Sequence, residues 1–250
     1  MSDFIVGGWT QNPANKPFPG FSHTMYGMIT NLDGLTAGTA DAPGWSPEKT
    51  SAPNISPGVA MWTYGGGLCS PDAIPATPEQ VQRIIDCTEQ KQWAGVDFDD
   101  ECHMNIDNLI ESMQRLRPLQ SSYTFLAGWD YNNPSASDFG KEINNAVLNV
   151  SNANAADRFA LMCYASAMWS EQDIKNNVSQ AIDRTINING VDKKQVILAL
   201  TPAGLTDWNL NYFLDQVVEF DIGGLYIWDF TSLKAEDYFT ITNRLGINLG

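Results

Sequence analysis

The stretch Gly95-Val96-Asp97-Phe98-Asp99-Asp100-Glu101 decides the fold and points to the chemistry. Side chains of an extended strand alternate between two faces, so Asp97, Asp99 and Glu101 share one face and apolar side chains occupy the other. Carboxylates two residues apart on a strand lie about 7 Å apart. If they are buried, at least one pKa must rise, as a general acid working near neutral pH requires.

Two other interpretations of this acidic strand come from its residues alone. It is also typical of an antiparallel strand whose acidic face is solvated. A calcium loop is disfavoured, because the EF-hand pattern requires glycine at its sixth position and Cys102 stands there.

Apolar runs and helical stripes alternate along the rest of the chain. Strands are predicted at residues 4–9, 21–29, 59–64, 95–101, 122–129, 159–164, 196–200 and 224–228. Helices are predicted at residues 77–88, 106–116, 137–150, 171–188, 209–220 and 235–245. Almost continuously apolar strands that alternate with helices indicate a parallel sheet covered on both sides.

Eight such units predict an α/β fold, a compact (β/α)₈ TIM barrel that occupies residues 1–250 as a single domain. The rival fold is a doubly wound open sheet, but no GxGxxG follows the first strand and no P-loop lysine is present. Barrel enzymes place their chemistry at the carboxyl ends of the strands. Glu101 ends the fourth predicted strand, which favours a functional acidic strand over a solvated one.

Composition limits the partners that the chain can have. A formal charge of −15 argues against nucleic acid and anionic membranes, which it would repel. A neutral ligand is indifferent to this charge, and eight tryptophans supply flat rings that stack on sugars or pack in a core. No run of about 18 apolar residues is present to span a bilayer.

Cysteines and histidines argue against a metal centre. No CxxC pair occurs among the four cysteines, Cys69, Cys87, Cys102 and Cys163, so we expect reduced thiols; three disulfide connectivities are possible in an oxidising compartment. Two histidines, His23 and His103, are too few for a histidine-rich catalytic zinc site. We expect no metal and no cofactor. The first residues lack a secretory n-region and h-region, which leaves the localisation open.

Ala94 to Glu101 resembles the DGxDxDxE signature of glycoside hydrolase family 18, which contains chitinases and endo-β-N-acetylglucosaminidases. Other segments agree in order. Thr63-Tyr64-Gly65-Gly66 resembles the SxGG of the third strand, and Met162-Cys163-Tyr164-Ala165 resembles the MxYD of the sixth. Gly224 to Trp228 resembles the last strand, and weaker similarities cover Gly7-Gly8-Trp9 and Met25-Tyr26-Gly27-Met28. No room remains for the insertion domain of some chitinases.

The resemblance implies a retaining hydrolase that cleaves β-1,4 bonds of N-acetylglucosamine by substrate-assisted catalysis. Glu101 would be the general acid, and Asp99 would orient the substrate's acetamido group. Asp97 would share a proton with Asp99 and titrate with it as a coupled pair. Tyr164 would donate to the acetamido oxygen. Substrate binding would fall to Trp228 as the floor of the site, with Tyr26 and Trp129.

Departures from the family pattern leave alternatives. Ala165 replaces an aspartate that helps to bind substrate, while Ala94, Gly8 and Ala203 are further replacements. A lectin or inhibitor that binds without hydrolysis is the alternative function, although such relatives usually lose the acid that Glu101 retains. A storage or structural barrel is a third. We expect a monomer whose choice between chitin and the N-glycan core depends on residues 31–57 and 130–137.

Overall fold

The chain folds as a closed barrel of eight parallel strands in the order β1 to β8, with β8 pairing to β1. This computed structural model describes residues 4–29, 44–67 and 77–249. The strands are β1 Ile5–Thr10, β2 His23–Ile29, β3 Val59–Gly65, β4 Gly95–Asp100, β5 Gln120–Leu126, β6 Arg158–Met162, β7 Val196–Leu200 and β8 Gly224–Ile227. The predicted fold class is therefore confirmed.

Helices cover the outside of the barrel. They are α1 Pro78–Gln90, α2 Ile106–Leu116, the single turn α3 Trp129–Asn132, α4 Asp138–Asn152, α5 Glu171–Asp183, α6 Asp207–Glu219 and α7 Ala235–Leu245. Short 3₁₀ turns precede β7 at Lys193–Gln195 and follow β8 at Phe230–Ser232. No further domain is inserted between the elements of the described ranges, and none of their helices is long and apolar enough to cross a membrane.

Local sequence explains where the helices begin. Thr77 accepts the N–H of Gln80, whose side chain accepts the N–H of Thr77, so α1 starts with a complete capping box. Thr206 caps α6 in the same way with Asn209. Each cap satisfies N–H groups that the first turn of a helix leaves without partners.

Most predicted boundaries differ from the structure by one or two residues, and three differences bear on the site. β5 ends at Leu126, so Trp129 belongs to α3 and not to the strand. β6 ends at Met162, and Tyr164 instead pairs with Met168 in an isolated bridge. The predicted helix at residues 171–188 is α-helical only to Asp183, after which Arg184–Ile188 form a π-helical turn. Tertiary contacts, described below, explain this last difference.

The cysteines divide into two kinds. Cys87 and Cys163 are free and buried, as expected of reduced thiols, and burial raises the pKa of each. Cys102 is disulfide-bonded, so the expectation of reduced thiols is wrong for this residue. Cys69 and residues 31–43 of the segment predicted to set substrate choice lie outside the described residues, whereas residues 44–57 of that segment are described and include the buried Trp45.

Candidate active site

Strand β4 directs its first carboxylate into the barrel interior. Both oxygens of Asp97 accept two hydrogen bonds: Oδ2 from Trp9 Nε1 at 2.8 Å and Thr63 Oγ1 at 3.0 Å, and Oδ1 from Ser122 Oγ at 2.6 Å and Thr124 Oγ1 at 2.7 Å. Burial raises the pKa of Asp97, and these four donors oppose that rise. Asp97 therefore joins β1, β3, β4 and β5 from inside the barrel.

Asp99 lies two residues nearer the carboxyl end of β4, and its hydrogen bonding differs from that of Asp97. Its Oδ1 is buried and has no hydrogen-bond partner among the described residues. Burial raises the pKa of Asp99 well above its usual value, and the negative charges of Glu101, Asp97 and Asp100 raise it further. The raised pKa means that Asp99 binds a proton more readily than an ordinary aspartate. Its unpartnered Oδ1 can also accept a hydrogen bond from a ligand.

Asp97 and Asp99 interact electrostatically, because the charge of Asp97 is one of the causes of the raised Asp99 pKa. Hydroxyl and indole donors occupy both Asp97 oxygens. Among the charged neighbours of Asp99, Glu101 contributes most to its raised pKa. The proton shared between Asp97 and Asp99 stays a prediction.

Glu101 follows the last residue of β4 and lies at the carboxyl end of the barrel, as predicted. Burial raises its pKa, the backbone N–H of Gly67 lowers it by hydrogen bonding, and the charge of Asp100 raises it. A Cβ on Gly67 would stand only 3.2 Å from Glu101 Oε2. Gly65, with φ of +114°, brings its backbone so close to β4 that a Cβ would be 2.1 Å from the Asp99 carbonyl oxygen.

Glu101 opens into a cavity of about 460 Å³, here named the Glu101 cavity. Its walls are lined by Leu126, Gly128, Trp129, Asp130, Tyr131, Phe139, Met162, Tyr164, Ala165, Ser166 and Trp169. Trp129 is 58% exposed and presents its ring to this cavity from α3. Ala165 has no carboxylate to offer, whereas Asp130 also lines the cavity and accepts the Ser137 hydroxyl through Oδ1 at 2.6 Å.

Tyr164 lines the Glu101 cavity and is otherwise buried. Burial raises the pKa of its hydroxyl, and the negative charges of Asp99, Glu101 and Asp97 raise it further. The phenol therefore keeps its proton at neutral pH and can donate it in a hydrogen bond. Asp99, Glu101 and Tyr164 act on one another electrostatically, which brings together three of the predicted site residues.

Asp100 has a structural role that the sequence did not reveal. It points away from Asp99 across the strand and is 1% exposed. Its Oδ2 accepts the Tyr123 hydroxyl at 2.7 Å, and its Oδ1 accepts the Met104 N–H at 3.0 Å. Asp100 thereby links β5 to the backbone that follows Glu101. In the sequence, the feature that signals this role is the second of two consecutive aspartates, Asp99-Asp100.

A polar network holds the α3 turn against the barrel. Arg184 donates Nη1 to Asn144 Oδ1 at 3.1 Å and Nη2 to the Asn132 carbonyl at 3.2 Å. The buried Tyr131 hydroxyl lies 2.8 Å from Thr185 Oγ1 and accepts Asn189 Nδ2, also at 2.8 Å. The π-helical turn supplies Arg184 and Thr185 to this network, and Asn189 follows it directly.

Trp228 does not line the Glu101 cavity. It lines a second cavity of about 270 Å³ at the junction of β1 and β8, here named the Trp228 cavity. The other lining residues are polar: Thr10, Gln11, Asn12, Asn15, Asp229 and Thr231. Both cavities lie at the carboxyl ends of strands, and Trp228 lines the one at β1 and β8, whereas Glu101 lines the other.

Tyr26, which the sequence interpretation assigned to substrate binding, lies in the core. It is completely buried, its ring lies 5.9 Å from that of Trp93 just after α1, and its hydroxyl donates to the Asn15 carbonyl at 3.1 Å. Because side chains alternate along β2, Tyr26 faces the helical layer. It lines none of the cavities described here, and its role is to hold the Asn15 backbone.

Neither histidine lines the Glu101 cavity. His23 is buried at the opposite end of the barrel, where burial and then Arg158 lower its pKa to about 4. His103 forms an ion pair with Glu142 at 2.8 Å and contacts Phe139 edge-on, outside the acid pair. In the described ranges, no group of three or more histidines, cysteines and carboxylates is arranged to hold a metal ion.

In its fold, this barrel is similar to solved structures of glycoside hydrolase family 18. A fungal endo-β-N-acetylglucosaminidase of that family is 17% identical, with a TM-score of 0.63 over 97% of this chain and 97% of that one. A mutant family 18 chitinase from Cycas revoluta in complex with (GlcNAc)₄ is 12% identical, with a TM-score of 0.59 over 96% and 98%. No family profile and no curated protein matches the sequence.

A third neighbour widens the range of functions that accompany this fold. A xylanase and α-amylase inhibitor protein from Scadoxus multiflorus is 12% identical, with a TM-score of 0.58 over 97% of each chain. At these identities the likeness establishes the fold. It confirms the resemblance that the strand motifs indicated, and the chain has the fold of family 18.

Proposed function

We propose that this chain is a retaining glycoside hydrolase of the family 18 type, which cleaves β-1,4 linkages of N-acetylglucosamine. The observation that carries the proposal is the pairing of Glu101, with a raised pKa and a cavity before it, with Asp99, whose buried Oδ1 has no partner. The whole of residues 1–250 would act as one catalytic barrel and as a monomer.

Glu101 acts first as the acid. Its raised pKa keeps a fraction of the carboxyl groups protonated nearer to neutral pH than an ordinary glutamate. It donates this proton to the glycosidic oxygen while the acetamido oxygen of the substrate bonds to the anomeric carbon and the glycosidic bond breaks. Glu101 then removes a proton from water, which attacks the same carbon and opens the oxazolinium ring with net retention.

Asp99 and Tyr164 would prepare the acetamido group for this attack. The unpartnered Asp99 Oδ1 accepts the amide N–H, which favours the charge that develops on nitrogen. The Tyr164 hydroxyl donates to the amide oxygen and fixes its direction. The substrate's own amide is the nucleophile, so this scheme requires no second enzyme carboxylate for covalent attack.

The decisive experiment compares the wild type with Glu101→Gln on chitin oligosaccharides and on a high-mannose glycoprotein. We expect turnover to fall about 10²–10⁴-fold, because the amide cannot donate an acidic proton, while oligosaccharide binding persists. Glu111→Gln, at an ion-paired surface position on α2, is the matched control. Mass spectrometry of the products distinguishes chitin from the N-glycan core as substrate.

Binding without hydrolysis is the second candidate function. It is favoured by Ala165, which leaves the sixth-strand motif without its carboxylate, and by the inhibitor that shares this fold. The alternative predicts that wild type and Glu101→Gln bind the oligosaccharides equally and that neither releases a product. Asp130 argues against it, since it returns a carboxylate to the Glu101 cavity from the β5 side.

A further inference from the structure

A third cavity lies on the outer surface, away from both cavities at the mouth of the barrel. It holds about 350 Å³ and is lined by Asp207, Trp208, Asn211, Tyr212 and Asp215, here named the α6 groove. These residues recur at three- and four-residue intervals, so they form one stripe along α6. The opposite face of the helix carries the buried residues, including Leu210, Phe213, Leu214 and Val217.

Two aromatic rings form the apolar part of the α6 groove. Trp208 and Tyr212 are half-buried, and their rings are nearly parallel, with centroids 5.3 Å apart and an interplanar angle of 22°. The Lys175 ammonium stands 4.7 Å from the centroid of the indole ring. The ring contact within α6 and the ammonium group from α5 thus fix the indole, while part of each aromatic side chain stays exposed.

Polar groups surround these rings in a fixed arrangement. Arg244 donates Nη1 to Asn211 Oδ1 at 3.0 Å and Nη2 to Asp215 Oδ1 at 2.5 Å. Asn211 Nδ2 donates to the Asp207 carbonyl at 2.7 Å. In the described residues, no side chain or N–H donates to Asp215 Oδ2 or to the Asp207 carboxylate, so these oxygens remain available as acceptors.

We infer that the α6 groove is a second carbohydrate-binding site, which takes an uncharged N-acetylglucosamine oligosaccharide. Aromatic rings offer an apolar surface to the C–H face of a sugar, and carboxylate oxygens accept from its hydroxyl groups. The groove repeats the composition of the Glu101 cavity, where Trp129 and Trp169 lie with Asp130. A neutral ligand also escapes repulsion by the charge of −15.

The position of the α6 groove suits it to hold a polymeric substrate near the active site. Asp207 begins α6 shortly after the carboxyl end of β7, so the groove starts at the same end of the barrel as Glu101. A polymer held at the groove would keep the protein on its substrate while another segment reaches the active site. The inference rests on the proposed function for this use, but the binding itself does not depend on hydrolysis.

The test uses Glu101→Gln protein titrated with N,N′,N″-triacetylchitotriose by calorimetry and by NMR of the indole N–H signals. We expect two binding events for this protein and one after Trp208→Ala or Tyr212→Ala is added. Phe239→Ala is the matched control, because Phe239 is 61% exposed on α7 and lines none of the described cavities. With active Glu101 restored, Trp208→Ala should weaken retention on insoluble chitin at least tenfold and leave hydrolysis of soluble oligosaccharides unchanged.

The proposal is overturned if adding Trp208→Ala to the Glu101→Gln protein removes no binding event, or if Trp208→Ala and Phe239→Ala behave alike. Unfolding curves verify that each variant folds, and Trp208→Phe, which retains an aromatic ring, should keep most of the second affinity. Failure of the proposed function gives a different result: the wild type hydrolyses nothing, while the titration still resolves the groove. The two ideas can therefore fail separately.

Discussion

Asp97 accepts four hydrogen bonds, whereas Asp99, two residues further along the same strand, has a buried oxygen with no partner. The strand presents both carboxylates to the barrel interior, but their surroundings give them different roles. Asp97 satisfies the hydroxyl donors of the neighbouring strands β3 and β5 and the indole donor of β1. Asp99 retains an acceptor for a substrate.

Replacing each aspartate by asparagine should separate these roles. Asp97→Asn puts an NH₂ group against two donors that previously met an oxygen, so we expect a loss of about 2 kcal/mol or more in the free energy of unfolding. Asp99→Asn should leave the fold intact and lower kcat. Denaturant unfolding and oligosaccharide hydrolysis measure the two effects. Equal destabilisation by both substitutions would contradict the division.

Asp99 should also make stability depend on pH in a defined direction. Its pKa in the folded protein is raised, so the folded state binds more protons than the unfolded state above the ordinary pKa of aspartate. Stability is therefore lost as pH rises from that value through the raised pKa. We expect Asp99→Asn to raise Tm relative to the wild type at pH 8 and to have little effect at pH 4. A greater gain at pH 4 would refute this sign.

The fall of kcat/KM at alkaline pH should follow the deprotonation of Glu101. Hydrolysis needs its protonated form, so the rate falls as pH rises through a pKa that burial has raised. Asp100→Asn removes a negative charge that raises this pKa and should move the alkaline limb to lower pH. An unmoved limb, with unfolding curves that show an intact fold, would mean that another group controls the rate.

His23 should weaken the fold in acid. Its pKa is lowered from 6.5 to about 4, first by burial and then by the charge of Arg158, so its neutral form stabilises the protein above pH 6.5. This contribution is lost as pH falls from 6.5 towards 4. His23→Gln keeps a polar side chain beside Gln120 and should flatten the dependence of Tm on pH across that interval. An unchanged slope would exclude His23 as its source.

Arg184 should affect substrate through Trp129, which it does not touch. Arg184→Met removes two donors that hold α3, so we expect kcat/KM for long oligosaccharides to fall about tenfold, mostly through KM. Arg184→Lys should recover part of this loss. If the α3 turn carries the effect, Arg184→Met should add little to Trp129→Ala in a double-mutant cycle. Full additivity would show that Arg184 acts elsewhere.

The sequence alone determined the barrel and the position of the acid. Apolar strands in alternation with helices specify covered parallel strands, because only such a sheet buries both faces of each strand. The spacing of Asp97, Asp99 and Glu101 follows from the two-residue period of a strand. These features depend on neighbours in the chain, and the structure confirms the strand and its place in the barrel.

Only the tertiary structure decided what each side chain meets. The donors to Asp97 come from positions 9, 63, 122 and 124, which no local pattern connects to position 97. Tyr26 looked like a binding residue, but the fold turned it towards Trp93, and Trp228 came to line a different cavity from Glu101. Barrel closure sets these contacts, because register and packing between distant strands fix which side chains face one another.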